Sequence, residues 1–171
     1  GRHGNQSANE IIKSADFVIT FGFRFGPKAI NENFGKDRKI KIISVDIDKY
    51  ELNDSNVKIS EKSTINPLTY YGKLKYKSEK EIQNKLSNFL IIRLFSYYSP
   101  KQSKEFLIPA LIEKIKNLKG KKLKLKNYNN IRDISTIEYV TKQISNLILN
   151  KYNGIINCGS GNGISLQHLA M

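Results

Sequence analysis

The sequence predicts an α/β fold in which a mostly parallel sheet is flanked by helices. Two observations carry this expectation: short, continuous apolar runs that stop at Gly, Asp or Asn, and segments of helical period lying between those runs. Continuous rather than alternating apolar strands are what a parallel sheet requires, because both of its faces are covered.

Taken in order, Asn5–Ser14 has helical spacing at Ala8, Ile11, Ile12 and Ala15, and Asp16–Gly22 is an apolar strand ended by glycine. Lys39–Asp46 is a second strand, rich in β-branched residues, with Asp46 and Asp48 at or beyond its carboxyl end. Residues 49–68 are polar and loop-like and close at Asn66-Pro67. Tyr71–Leu86 is the longest predicted helix, and Phe89–Phe95 is the strand behind it. Phe106–Leu118 then predicts a helix, Lys121–Leu125 a short strand, Thr136–Leu149 a helix and Gly154–Cys158 the last strand. The strands at 16–22, 40–46, 89–95 and 154–158 are expected to share one sheet.

The 171 residues suit one ordinary domain. The single cysteine, Cys158, excludes an intramolecular disulfide, and no Cys/His cluster has zinc spacing, so no metal site is expected and a cytoplasmic setting is. Apolar runs such as Phe106–Ile112 are far shorter than the roughly 20 residues that cross a bilayer, so no membrane partner is expected.

The net charge is +14, of which residues 1–57 carry +1 and residues 58–171 carry +13. Lys and Ile at 24 each and Asn at 18 reflect a broad compositional bias, which accounts for much of the charge. The seven lysines of Lys114–Lys126 lack aromatic interleaving, so a solvated face is favoured over a nucleic-acid site. A chain that starts at Gly1 and stops one turn into a helix is expected to be a fragment.

Gly1-Arg-His-Gly4, Ala8-Asn9, Ala15–Phe25 and Ile42–Asp48, in that order and spacing, resemble the middle domain of thiamin-diphosphate-dependent enzymes of the acetohydroxyacid synthase type. The resemblance implies a doubly wound α/β unit that holds FAD or an ADP moiety in some members and is structural in others. Gly22 and Arg24 would end its first strand and Asp46 its second, where open sheets bind ligands. Arg24 has the fork to meet a phosphate and Asp46 the oxygens to accept from a ribose, against the plainer alternative of a local ion pair and a strand end. The thiamin diphosphate and Mg of that parent belong to domains with no counterpart here.

Tyr-x-x-x-Lys sets a phenol and an ammonium one helical turn apart, where the cation lowers the phenol's pKa from about 10 and fits it for proton transfer. It occurs as Tyr71/Lys75, Tyr76/Lys80 and Tyr97/Lys101, so spacing alone selects none of them. Context does. Ile59–Glu79 resembles the active-site helix of extended short-chain dehydrogenase/reductases, the NAD-dependent epimerase/dehydratase family acting on nucleotide sugars. The similarity continues through Ile91–Phe95 with Pro100, Phe106–Pro109, Ile131-Arg132-Asp133 and Gly154–Ser165.

That resemblance implies a Rossmann-like fold, NAD(P) as cofactor and a nucleotide sugar as small-molecule partner. Tyr71 would be the general acid/base; Lys75 would tune it and hold the cofactor ribose; Arg132 would contact the substrate diphosphate. Ser44 stands where the family's Ser/Thr partner of the tyrosine is sought, although its context belongs to the first resemblance. The family's Gly-rich G-x-x-G-x-x-G turn is absent from these 171 residues, so the fold is expected to be incomplete and the chain inactive by itself. Gly159-Ser-Gly-Asn-Gly163 is read as a structural turn rather than a phosphate cradle. The whole is expected to be a hybrid, with one piece over 1–57 and the other over 58–171, in which enzymatic activity and oligomeric state stay open.

Overall fold

The computed structural model describes residues 10–11, 14–21, 41–47, 59–118, 123 and 128–171, with the backbone only at 46 and 47. Four strands form one all-parallel sheet: β1 (Phe17–Phe21), β2 (Lys41–Ile47), β3 (Phe89–Leu94) and β6 (Gly154–Cys158), in the spatial order β1-β2-β3-β6. These are the four strands expected to share a sheet. Val18 registers with Ile42, Ser44 with Ile91 and Ile92 with Ile156, so hydrogen bonding runs unbroken across residue 57.

Two helices cover the two faces. Strand side chains alternate, so Ile43, Val45, Leu90, Ile92, Leu94 and Cys158 form one buried face, against which Val140, Ile144, Leu147 and Ile148 pack from α3 (Ile137–Leu149). Ile42 and Ile91 point the other way and meet Ile82 of α1 (Tyr70–Lys85). Enclosure on both sides is why β3, apolar except for Arg93, is buried along almost its whole length.

Thr69 starts α1 by accepting a 3.0 Å hydrogen bond from the Gly72 amide, and Thr136 starts α3 by accepting from the Tyr139 amide at 3.2 Å. The remaining helices are α2 (Leu107–Lys116) and the short α4 (Leu166–Leu169). Three further strands, β4 (Ser96–Tyr98), β5 (Ile131–Thr136) and β7 (Gly163–Ser165), form a second sheet, parallel between β4 and β5 and antiparallel between β5 and β7. The sequence does not announce this sheet, because two of its strands have only three residues and the six of β5 mix charged with apolar side chains. The expected helix at 5–14 and strand at 121–125 lie largely outside the described residues. Among the described residues no helix is long and apolar enough to cross a membrane.

Candidate functional site

The carboxyl ends of the parallel strands border a cavity of about 400 Å³. Phe21 ends β1 and Leu94 ends β3; with Val45 of β2 they form one wall, while Ile137, Val140 and Ile144 of α3 form another. Tyr71, in the first turn of α1, and Tyr97 of β4 bring two phenols into this largely hydrocarbon space, and Thr141 and Ser145 add hydroxyls from α3.

Lys75 lies one helical turn beyond Tyr71 and is 2% exposed. Its Nζ sits 5.2 Å from the centroid of the Tyr71 ring, over the face of the phenol. A desolvated ammonium in that position stabilises negative charge on the ring and its oxygen more than a hydrated one would. Tyr71 itself is partly exposed, so its ring reaches the cavity while the lysine stays beneath.

The structure separates the three Tyr-x-x-x-Lys matches that spacing left equal. Lys80 lies 5.5 Å from the Tyr76 ring centroid but is exposed. Tyr97 is on a strand and Lys101 in a turn, so the helical argument does not reach them. Among the described residues, only Tyr71/Lys75 joins a buried lysine to a cavity-lining phenol.

On the α1 face of the sheet, Arg93 of β3 meets Glu79 of α1. Arg93 Nε donates to both carboxylate oxygens at 3.1 and 3.2 Å, and Nη2 donates to Oε2 at 2.7 Å. Both residues are buried, at 5% and 7% exposed. Ser44 lies on the same face, buried and opposite Ile91 in register.

Arg132 stands on β5, in the second sheet and outside the cavity lining; its Nε is buried with no hydrogen-bond partner among the described residues. The neighbouring Asp133 fills the glycine-rich turn. Its Oδ1 accepts from the Ser160 amide at 2.9 Å and the Ser160 hydroxyl at 2.7 Å, and its Oδ2 accepts from the Gly161 amide at 2.7 Å. The donors that would cradle a phosphate are held by a carboxylate of the chain itself, so the turn is structural. Gly161 takes φ +77°, and a Cβ on Gly159 would lie 2.6 Å from Asp133 Oδ2, which explains the glycines without a ligand. Burial pushes the nearby Cys158 thiol up from its ordinary pKa, and the Asp133 charge pushes it in the same direction.

Gly22 and Arg24 lie outside the described residues. Asp46 stands near the carboxyl end of β2, opposite Arg93 in register. Sequence reasoning missed the Glu79–Arg93 pair, the place of Tyr97 at the cavity and the acceptor role of Asp133. Each depends on contacts between residues 14 to 28 positions apart or on strand placement, for which the sequence holds no local signal.

Two family models match the chain: the NAD dependent epimerase/dehydratase family over residues 49–159 and the thiamine pyrophosphate enzyme central domain over residues 1–65. The chain belongs to the NAD dependent epimerase/dehydratase family. Its fold agrees. The dTDP-glucose 4,6-dehydratase of Bacillus anthracis str. Ames, solved in complex with NAD, superposes with a TM-score of 0.70 at 19% identity, over 96% of this chain and 58% of that one. The UDP-N-acetylglucosamine 4-epimerase of Methanobrevibacter ruminantium M1, in complex with UDP-N-acetylmuramic acid, does so with a TM-score of 0.69 at 19% identity, over 97% of this chain and 62% of that one.

Such coverage includes β1 and β2, so strands whose sequence is similar to another family occupy positions in an epimerase/dehydratase sheet. The similarity of that first part is direct: acetolactate synthase isozyme 1 large subunit of Escherichia coli (strain K12) is 44% identical over 52 residues, 30% of this chain and 9% of the synthase. The chain thus spans a small part of that enzyme and about three fifths of the two solved relatives.

Proposed function

We propose that the chain carries the proton-transfer half of an NAD-dependent nucleotide-sugar epimerase/dehydratase site, with Tyr71 as general acid/base and Lys75 as the group that tunes it. The observation that carries the proposal is the buried Lys75 ammonium over the Tyr71 ring at the edge of a cavity at the strand ends. A phenol held this way exchanges its Oη proton with a sugar hydroxyl, while NAD, when bound, supplies the hydride acceptor. Lys75 would also donate to the cofactor ribose.

The residues present fit these groups. A cavity walled largely by hydrocarbon offers the phenol an apolar surface beside it, and the buried, unsatisfied Nε of Arg132 suits the oxygens of a nucleotide-sugar diphosphate. Support for the substrate class comes from the family match and from solved relatives bound to NAD or a UDP-sugar. No G-x-x-G-x-x-G run occurs in these residues, so the proposal expects cofactor binding without turnover from this chain by itself. In this reading residues 1–57 contribute the outer strands and residues 58–171 the site. Calorimetric titration with NADH should give binding that Lys75→Ala abolishes; no heat at millimolar cofactor would overturn the proposal.

The similarity of residues 1–65 to the thiamine pyrophosphate enzyme central domain favours a second reading, a non-catalytic module that holds FAD or ADP through Gly22, Arg24 and Asp46. Thiamin diphosphate and Mg would belong to the rest of such an enzyme. Flavin or ADP binding lost in Arg24→Ala would support it, and binding insensitive to that change would count against it.

A further inference from the structure

Two Asn-Gly steps occur in the sequence, Asn153-Gly154 and Asn162-Gly163. The step is chemically labile, because glycine has no Cβ to keep its backbone nitrogen away from the asparagine side chain before it. Both asparagines are exposed, so exposure does not separate them. Their hydrogen bonds do. Asn153 stands just before β6 with its side-chain amide held at both ends: Oδ1 accepts from the Phe89 amide at 2.7 Å, and Nδ2 donates to the Ser87 carbonyl at 3.3 Å. Turning its side-chain carbonyl towards Gly154 breaks both bonds.

Asn162 stands just before β7, at the end of the turn that Asp133 holds. Its backbone amide donates to Ser160 Oγ at 3.1 Å, while its side-chain amide makes no hydrogen bond among the described residues. Hydrogen-bonded pairs alternate along an antiparallel ladder. The Leu166 amide donates to the Asn130 carbonyl at 3.2 Å, so Arg132 and Ile164 form the next bonded pair, and Gly163, opposite Asp133, turns its N–H away from β5. Neither reacting group of this step is tied into the ladder.

We propose that Asn162 is a site of spontaneous deamidation and that the fold protects Asn153 from the same reaction. The Gly163 nitrogen gives its proton to solvent and attacks Asn162 Cγ; the N–Cγ bond forms, the side-chain nitrogen takes up a proton and leaves as ammonia, and a five-membered imide remains. Water then opens the imide. Cleavage of the new N–Cγ bond gives aspartate at 162, whereas cleavage between the same nitrogen and the main-chain carbonyl carbon gives isoaspartate, with one more carbon in the main chain. Either product adds a negative charge next to the turn in which the Asp133 carboxylate accepts from the Ser160 and Gly161 amides. Like charges repel, and the longer main chain of isoaspartate disturbs the register of β7, so the modification loosens β7 from β5, the strand that carries Arg132.

The test compares the two steps within one protein. The whole folded chain is incubated at mildly alkaline pH and digested under acid, and its peptides are followed by mass spectrometry with electron-based fragmentation, which separates aspartate from isoaspartate. Two hydrogen bonds of ordinary net strength correspond to roughly tenfold protection, so Asn162 should convert about ten times faster than Asn153 in the folded chain. In concentrated urea, where the bonds to Phe89 and Ser87 are lost, the two rates should become similar. Equal rates in the folded chain, faster conversion at Asn153, or a preference for Asn162 that persists in urea overturns the proposal. The effect on the fold is read from Asn162→Asp, whose urea midpoint should lie below that of Asn162→Ser; a midpoint equal to it or above it overturns the loosening of β7.

Discussion

Replacing Asp133 with alanine tests whether the glycine-rich turn is held by the chain itself. The side chain accepts from Ser160 Oγ at 2.7 Å, the Ser160 amide at 2.9 Å and the Gly161 amide at 2.7 Å, three bonds to an ionised acceptor. Hydrogen bonds to a charged group contribute roughly 1.5 kcal/mol each at the low end. Gly161 is exposed, and water replaces part of what is lost. Halving the total leaves a cost of about 2 kcal/mol, which at a urea dependence of about 2 kcal/mol per molar moves the unfolding midpoint down by roughly 1 M. Asp133→Asn keeps an acceptor oxygen but loses the charge, and about half the shift is expected. The assay is urea unfolding followed by circular dichroism and tyrosine fluorescence. Inorganic phosphate should raise the midpoint of Asp133→Ala, whose donors are emptied, and leave the wild type unchanged. A loss below about 0.5 kcal/mol in Asp133→Ala, or an equal phosphate effect in both proteins, would refute the reasoning.

Three further predictions concern the frame around the site. Gly159→Ala places a Cβ 2.6 Å from Asp133 Oδ2 and 2.7 Å from Phe95 Cδ2, and should destabilise by about 1–3 kcal/mol in the same urea assay. Ile92→Ala, at a fully buried position of β3, should cost about 2–5 kcal/mol, read by thermal unfolding. The raised pKa of Cys158 means that the folded chain holds its thiol proton more tightly than the unfolded chain does. Its contribution to stability is therefore complete below the thiol's ordinary pKa and is lost as pH rises through the raised value. Cys158→Ala should flatten that alkaline fall, and the native thiol should resist disulfide reagents at neutral pH until the chain is unfolded.

The parallel sheet was legible because short apolar runs such as Phe89–Ile92 and Ile42–Val45 belong in a sheet covered on both faces, and the register confirms that they lie side by side. That β1 and β2 join β3 across the two sequence similarities follows from the same requirement: an apolar strand such as Ile42–Val45 must be buried, and β3 offers the matching edge. The second sheet was not legible. Ile131-Arg-Asp-Ile-Ser-Thr136 mixes charge with β-branched residues, and its strand character rests on pairing with Ser96–Tyr98 and Gly163–Ser165, far away in sequence. At the candidate site, helical spacing named three Tyr/Lys pairs and the context of Ile59–Glu79 selected Tyr71/Lys75; that Lys75 is buried and Lys80 exposed is a matter of tertiary packing. The Glu79 and Asp133 contacts are long-range consequences of topology, so composition and spacing are blind to them.

The most direct test of the central claim is amide chemical-shift mapping during titration of the chain with NADH. The account predicts that saturable shifts gather at Tyr71, Lys75, Leu94 and Tyr97 and vanish in Lys75→Ala. Shifts confined to the ends of β1 and β2, or none at millimolar NADH, would contradict it.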